Sequence, residues 1–163
     1  LEQKLQSREL DVIFVPVINK KSYKSSMVLY EEELFFISNQ VSSEQVQIKD
    51  IRDNTFVMVP DSCGLSEITR SLLRSTRNEV KEYEGKALSY QVLADWASNG
   101  LGSAILPKSK VLPHISKHQI FSSSKPARIT FQARWIAEDN KPFNKMLQYF
   151  KKNIGEISKG IVH

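Results

Sequence analysis

The hydrophobic positions of this chain alternate between strand-like runs and helical stripes, which is the pattern of a layered α/β protein. The clearest stretch runs from Ser89 to Pro107. Its residues Val92, Leu93, Trp96 and Ala97 recur at helical spacing. This spacing predicts a helix with one apolar face, which needs a partner layer to cover it.

Both ends of this predicted helix carry boundary signals. Ser89 is a candidate N-cap, because its hydroxyl can accept a hydrogen bond from a free amide of the first turn. Asn99 and Gly100 end the helix, since glycine adopts the left-handed backbone conformation at low cost. Residues 102–106 then read as a short buried strand, which Pro107 ends.

Further elements follow from the same reasoning along the chain. Strands are predicted at 11–16, 27–38, 55–59, 79–84 and 128–137, and the first of these is apolar enough to be covered on both faces. Helices are predicted at 65–77 and over the apolar stripe from Phe143 to Ile157, with a helical turn at 48–53. The segments 41–47 and 108–125 are polar or contain proline, and we predict that they are loops.

Two of these strands are long enough to cross between lobes. The run 27–38 carries Glu31, Glu32 and Glu33 at its centre, which indicates a strand that leaves one packed environment and enters another. We expect these carboxylates to face solvent or to pair with lysine or arginine. The chain is therefore predicted to form two lobes, one from 1–34 with 128–163 and one from 35–127.

Composition narrows the class of protein. The chain has 163 residues, 40% hydrophobic and 25% charged, as in soluble globular proteins. Its apolar runs are too short to cross a bilayer, so we predict no membrane partner. With the single cysteine Cys63, no internal disulfide forms, which favours a cytoplasmic location. The chain starts without Met, and we interpret it as part of a longer protein.

The net charge of +5 is compatible with nucleic acid or with an anionic ligand. The basic residues are scattered, although Arg70, Arg74 and Arg77 share the spacing of one helix face. That stripe is either a solvated surface or a ligand or partner surface. Zinc-finger spacing, a basic zipper and an aromatic-basic strand pattern are all missing, so no nucleic-acid-binding module is predicted within these residues.

The candidate reactive residues do not form a catalytic set. Cys63 is interpreted either as a small loop residue or as a nucleophile or sensor near a helix N-terminus. His114 and His118 lie four residues apart in a proline-flanked segment, without further metal ligands nearby. The sequence has no Gly-rich phosphate loop, nucleophile elbow or Ser-His-Asp motif. We therefore predict no enzyme activity, no catalytic residues, no metal and no cofactor.

Four segments of the chain are distinctive: 8–13, 29–37, 99–107 and 136–150. Together they resemble the effector-binding domain of LysR-type transcriptional regulators. Residues 8–13 resemble the family's G-E-L-D-L-A-I strand entry, with Arg8 in place of glycine. Residues 29–37 resemble its crossing strand, and 99–107 resemble its A-G-L-G-I-A-L-L-P segment. Residues 136–150 resemble the final strand and helix, so the resemblance spans nearly the whole chain.

The resemblance implies a periplasmic-binding-protein-like (type II) fold of two α/β lobes with an effector cleft between them. It also implies that the first lobe is incomplete here, and that the helix-turn-helix DNA-binding domain lies outside this chain. DNA would then be contacted only through that missing domain. The exposed edge of an incomplete lobe favours pairing with a second chain, so we expect a homodimer or a higher assembly.

In this fold the N-termini of helices point into the cleft, where free amides and helix dipoles favour anions. Two such N-termini occur here. One follows the loop 61–64 before the helix predicted at 65–77, and the other follows 88–90 before the helix that contains Val92. Each serine there either caps its helix or contacts the ligand, and both roles can coexist. The candidate ligand-binding residues are Ser62, Cys63, Gly64, Ser66, Ser89 and Tyr90.

Our leading hypothesis is an effector-sensing regulatory domain of a bacterial transcription factor, which binds a small anionic metabolite. Effector binding would shift the arrangement of the lobes and so control the full-length protein on DNA. The alternative is a solute-binding protein of the same fold that serves a transporter. An enzyme is the third hypothesis, and no catalytic motif supports it.

Overall fold

The computed structural model describes residues 1–18, 25–74, 79–136, 144–150 and 152–153. The chain divides into two compact units, Leu1–Glu31 with Thr130–His163, and Glu32–Ile129. Two strands, β2 (Ser26–Ile37) and β9 (Arg128–Trp135), each continue from one unit into the other. The long strands predicted at these two places are therefore present.

The first unit combines three neighbouring strands with short helical segments. It contains α1 (Glu2–Gln6), β1 (Val12–Val17), the start of β2, most of β9 and the helical residues 144–150. β1 pairs antiparallel with β9, so that Val12 lies opposite Trp135. Ile13 is buried, but Phe14 is 50% exposed although it meets Phe150 edge-on. The prediction that both faces of this strand are covered is wrong, because Phe150 shields only part of the Phe14 ring.

The second unit is a mixed α/β layer structure. Its strands, besides the end of β2, are β3 (Gln45–Gln47), β4 (Thr55–Met58), β5 (Lys81–Lys86), β6 (Ala104–Pro107), β7 (His118–Ser122) and β8 (Lys125–Pro126). Its helices are α2 (Ile48–Ile51), α3 (Leu65–Leu73) and α4 (Tyr90–Ser98). β2 pairs antiparallel with β6 and β7, whereas β3 pairs parallel with β7 and β4 pairs parallel with β5.

The core of the second unit lies where α4 packs on β4 and β6. All four residues of β6 are buried, and Leu93 and Ala97 are buried on the apolar face of α4. Phe36 and Phe56 are fully buried and meet edge to face, with ring centroids 6.1 Å apart. The helix, turn and strand predicted between Ser89 and Pro107 are confirmed.

The turn between α4 and β6 depends on glycine. Gly100 has φ +84°, and a Cβ atom there would lie 2.5 Å from Nδ2 of Asn39. A Cβ at Gly102 would lie 2.9 Å from the carbonyl oxygen of Thr55. This close approach lets the amides of Ser103 and Val57 donate 2.8 Å hydrogen bonds to the carbonyls of Thr55 and Ser103, respectively.

Two segments that were predicted to be loops contain strands. β3 lies in 41–47 and β7 lies in 108–125. The two strands pair with each other, and Val46 lies opposite Ile120. Both sequences are short and largely polar, so the alternation of polar and apolar residues that predicts a strand is weak. Even so, Ile120 is fully buried and His118 is only 3% exposed. Long-range pairing, rather than local pattern, makes these residues extended.

Two predicted helices are only partly described. α3 ends at Leu73 rather than Arg77, because Arg74 has ψ 130° and leaves the helix. Arg77 lies outside the described residues, and so do Phe143, Ile154 and Ile157 of the predicted last helix.

The acidic centre of β2 is hydrogen-bonded. Glu33 accepts from Arg128 at 3.0 Å and from the side-chain amide of Gln119 at 2.9 Å. Glu32 accepts from the backbone amide of Ser109 at 3.0 Å. The expected pairing of these carboxylates with basic residues is confirmed for Glu33, and these bonds fix the strand where it enters the second unit.

Candidate functional site

The candidate site is formed by two helix N-termini of the second unit, those of α3 and α4. The loop before α3 is a 3₁₀ turn, Asp61–Cys63, followed by Gly64 with φ +78°. Gly64 tolerates this left-handed conformation at low cost. The amide of Cys63 donates to the carbonyl of Pro60 at 2.9 Å. The loop is thus ordered by its own backbone and presents the first amides of α3.

The side chain of Ser66 has a structural role. It is 1% exposed, and its hydroxyl donates a 2.6 Å hydrogen bond to the carbonyl of Val59. A buried hydroxyl that has given its proton to a backbone carbonyl is not available as a ligand donor. Within the first turn of α3, Ser66 therefore stabilises the junction with β4. Ser62 and Cys63, by contrast, are exposed.

Ser89 caps α4, as predicted. The amide of Val92 donates to its Oγ at 3.2 Å, while the backbone of Ser89 is extended. This bond satisfies one of the amides that have no partner within the helix. Because the hydroxyl accepts this bond, its own proton remains available to a carboxylate. Ser89 is exposed and Tyr90 is half-buried.

One contact joins the two N-termini. The Sγ atom of Cys63 lies 3.0 Å from the phenol oxygen of Tyr90, and either atom can be the donor. The structure thus brings together residues that are 27 positions apart in sequence. Amides at the starts of α3 and α4, two exposed serines, a thiol and a phenol share one surface of the second unit. We call this surface the α3/α4 wall.

A cluster around Arg70 holds the loop of the α3/α4 wall in place. Arg70 lies 2.9 Å from the carboxylate of Asp61, which directly precedes Ser62. It also makes a two-pronged ion pair with Glu82 of β5, to which Lys86 donates at 2.7 Å. Arg70 thereby links α3, the loop and β5, and this link fixes the loop backbone.

The charged side chains of this cluster shift one another's pKa values. The hydrogen bond from Arg70 lowers the pKa of Glu82 to about 2, with a further contribution from Lys86, while partial burial opposes the shift. The same bond raises the pKa of Arg70 above its ordinary value. The sequence reveals Arg70 only as part of an arginine stripe, since its partners Glu82 and Asp61 belong to other elements.

The groups of this arrangement are able to bind an anion. Helix N-termini and hydroxyl protons stabilise negative charge, and they require no further group to do so. Within the described ranges, no group of three or more His, Cys, Asp or Glu could hold a metal ion. The ring of His118 is buried, and its Nδ1 contacts the carbonyl oxygen of Ser43.

Several solved structures share the fold of this chain. The crystal structure of the reduced form of OxyR matches with a TM-score of 0.69 at 16% identity, over 95% of this chain and 75% of that one. A cysteine mutant of Corynebacterium glutamicum OxyR matches with a TM-score of 0.71 at 14% identity, over 99% and 52%. The effector-binding domain of a BenM variant matches with a TM-score of 0.66 at 15% identity, over 96% and 77%.

At these identities the likeness establishes the fold, which is the periplasmic-binding-protein-like type II fold. The chain spans about half the length of the Corynebacterium glutamicum protein, 52%. The family described as LysR substrate binding domain matches residues 1–128, and the chain belongs to this family. No curated protein sequence matches the chain significantly. In the described part of the chain, none of the helices has the length and apolar character needed to span a membrane.

Proposed function

We propose that this chain is the effector-sensing part of a LysR-type transcriptional regulator, and that the α3/α4 wall contacts a small anionic metabolite. The observation that carries the proposal is the Cys63–Tyr90 contact, which aligns two helix N-termini in a domain of the LysR substrate-binding family. The two compact units, which divide after Glu31 and after Ile129, would correspond to the two lobes that we predict to divide near residues 34 and 127.

The chemistry of the α3/α4 wall favours a carboxylate or a similar anion. The amides at the start of each helix have no acceptor within the helix, and each dipole is positive at that end. Ser62 and Ser89 are exposed and carry hydroxyl donors. The phenol of Tyr90 adds a further polar atom beside Cys63. Gly64 contributes by leaving the backbone accessible, whereas Ser66 supports the wall from within.

The effect on transcription would require the full-length protein. In this proposal DNA is contacted by a helix-turn-helix domain outside residues 1–163, and two or more chains associate in the cytoplasm. Effector binding changes the populations of regulator states, and this change alters DNA binding or transcription. The α3/α4 wall binds its ligand without chemical turnover. Light scattering tests the association directly, and a monomer at high protein concentration would contradict it.

The binding proposal is tested by a thermal-shift screen with matched probes. Acetate, succinate, phenylacetate and several amino acids are compared with the neutral amides acetamide, succinamide and phenylacetamide. An anion that binds the folded chain raises its melting temperature as its concentration rises. The corresponding amide, which has the same shape without the charge, is expected to have a much smaller effect.

Variants then locate the bound anion by calorimetry. Ser89→Glu places a negative charge at the start of α4 and should abolish binding. Ser71→Glu adds the same charge at an exposed position late in α3 and should leave the affinity nearly unchanged. Tyr90→Phe removes only the phenol oxygen and should weaken binding several-fold. Equal affinities in the Ser89 and Ser71 variants would overturn the assignment of the wall.

A further inference from the structure

A cavity lies in the second unit, at the end of α4 opposite the α3/α4 wall. It has a volume of about 510 Å³, within the range of small-molecule sites. It opens to solvent and is lined by the segment that follows β2, the last turn of α4 and the segment that precedes β7. Its lining includes Ser38, Asn39, Asp95, Ser98, Asn99 and His114.

The cavity lining contains a hydroxyl proton that the hydrogen bonds of the described residues do not use. Ser38 is 4% exposed, and its Oγ accepts from the amide of Gln40 at 3.2 Å, which leaves its proton available. A buried hydroxyl proton without an acceptor costs free energy, and a bound polar molecule would recover it. The Oγ atom of Ser98 is too shielded for a molecule in the cavity to reach.

The described lining of the cavity differs in charge from the chain as a whole. The chain carries a formal charge of +5, but among the residues that the structure describes the lining contains the carboxylate of Asp95 and no lysine or arginine. The cavity also lies at the C-terminal end of α4, where the helix dipole is negative and favours cations. Asn39 is held at this end because it packs against Gly100. Its amide and that of Asn99 offer carbonyl oxygens as acceptors.

We propose that this cavity is a second ligand site, which takes a small organic cation such as a primary amine that also carries a hydroxyl group. The ammonium group pairs with the carboxylate of Asp95, and the hydroxyl oxygen accepts a hydrogen bond from Ser38. The site is separate from the α3/α4 wall, because α4 is nine residues long and spans about 14 Å at 1.5 Å per residue. One helix thus presents its positive end to one site and its negative end to the other.

The test is an NMR titration of the whole chain with three probes of similar shape. 4-Aminobutanol carries the positive charge, butanediol has none, and 4-hydroxybutanoate carries a negative charge. We expect saturable shifts of the backbone signals of Asn99 and Ser116, which line the cavity, with 4-aminobutanol only. Equal binding of the anion, or shifts confined to other residues, would overturn the proposal.

Variants test the role of the carboxylate. Asp95→Asn should weaken the binding of 4-aminobutanol about tenfold or more, the loss expected for one charge-assisted hydrogen bond. Asp50→Asn, at an exposed position of α2, is the matched control and should not change the affinity. Ser116→Trp fills the cavity from its exposed rim and should abolish the shifts. An unchanged affinity in Asp95→Asn, or no saturable shift in the parent chain, would show that the cavity is not such a site.

Discussion

The Sγ atom of Cys63 lies 3.0 Å from the phenol oxygen of Tyr90, so the loop before α3 touches the first residue of α4. Neither side chain is buried, and the net stabilisation from this contact is modest, about 1 kcal/mol or less. Its importance is geometric. It places two helix N-termini beside each other, and in the proposed function their positive dipole ends act on the same anion.

The exposure of Cys63 is open to a direct test. The chain contains one cysteine, and this cysteine is exposed in the folded protein. A thiol reagent should therefore label one group per native chain without denaturant, and a saturating anion at the α3/α4 wall should slow the reaction. Cys63→Ser is the control and should remain unlabelled. A reaction that requires denaturant would contradict the exposed position.

Ser66→Ala should destabilise the chain by about 1–2 kcal/mol, because it leaves the buried carbonyl of Val59 without its donor. Urea denaturation measures this loss. Ser71→Ala is the matched control, since Ser71 is exposed on the same helix and its replacement should change stability by less than about 0.5 kcal/mol. A similar result for both variants would contradict the structural role of Ser66.

Gly100→Ala should lower the stability of the folded chain for two reasons, and their contributions can be measured separately. The positive φ costs about 1–2 kcal/mol for a residue with a Cβ atom, and contact with Asn39 adds to this cost. In an Asn39→Ala background the contact disappears while the backbone strain remains, so the substitution should be less costly. Denaturation of the two single variants and the double variant measures the coupling. Equal costs in both backgrounds would exclude a contribution from Asn39.

Glu82→Gln should reduce stability at neutral pH by about 1–2 kcal/mol, because Arg70 and Lys86 lose a charged acceptor. The pKa of Glu82 is about 2 in the folded chain, against an ordinary value of 4.5. Its stabilising effect is therefore complete above pH 4.5 and is lost as the pH falls towards 2. The difference in unfolding free energy between parent and variant should shrink across this range.

Glu84→Gln provides the control for this pH dependence. Glu84 lies on the same strand and is exposed, so its replacement should change stability by less than about 0.5 kcal/mol. Denaturation curves for all three proteins at neutral and acidic pH separate the contribution of Glu82 from the titration of other carboxylates. A parent-to-variant difference that does not change with pH would contradict the role of the Arg70 pair.

The local sequence was sufficient to predict those elements whose conformation depends on residues close together in the chain. The N-cap of Ser89, the left-handed turn at Gly100 and the buried strand before Pro107 all depend on residues within a few positions of each other. Capping bonds and backbone dihedrals are short-range, so their residue preferences can be read directly. The resemblance to the LysR family then led to the correct fold.

The tertiary structure alone decided the features that depend on distant residues. β3 and β7 are short and polar, and they become strands because each finds the other across the second unit. The pairing of Arg70 with Glu82, the contact of Cys63 with Tyr90 and the cavity beside Asp95 likewise join separate segments.

The sequence by itself therefore determined the class of fold, the ends of α4 and the candidate loops of the α3/α4 wall. The tertiary structure decided which of those residues remain available, as Ser66 turns inward to Val59 while Ser89 stays exposed. The physical reason is that capping and turn preferences act along the chain. Burial and hydrogen-bond pairing depend instead on which distant groups packing brings into contact.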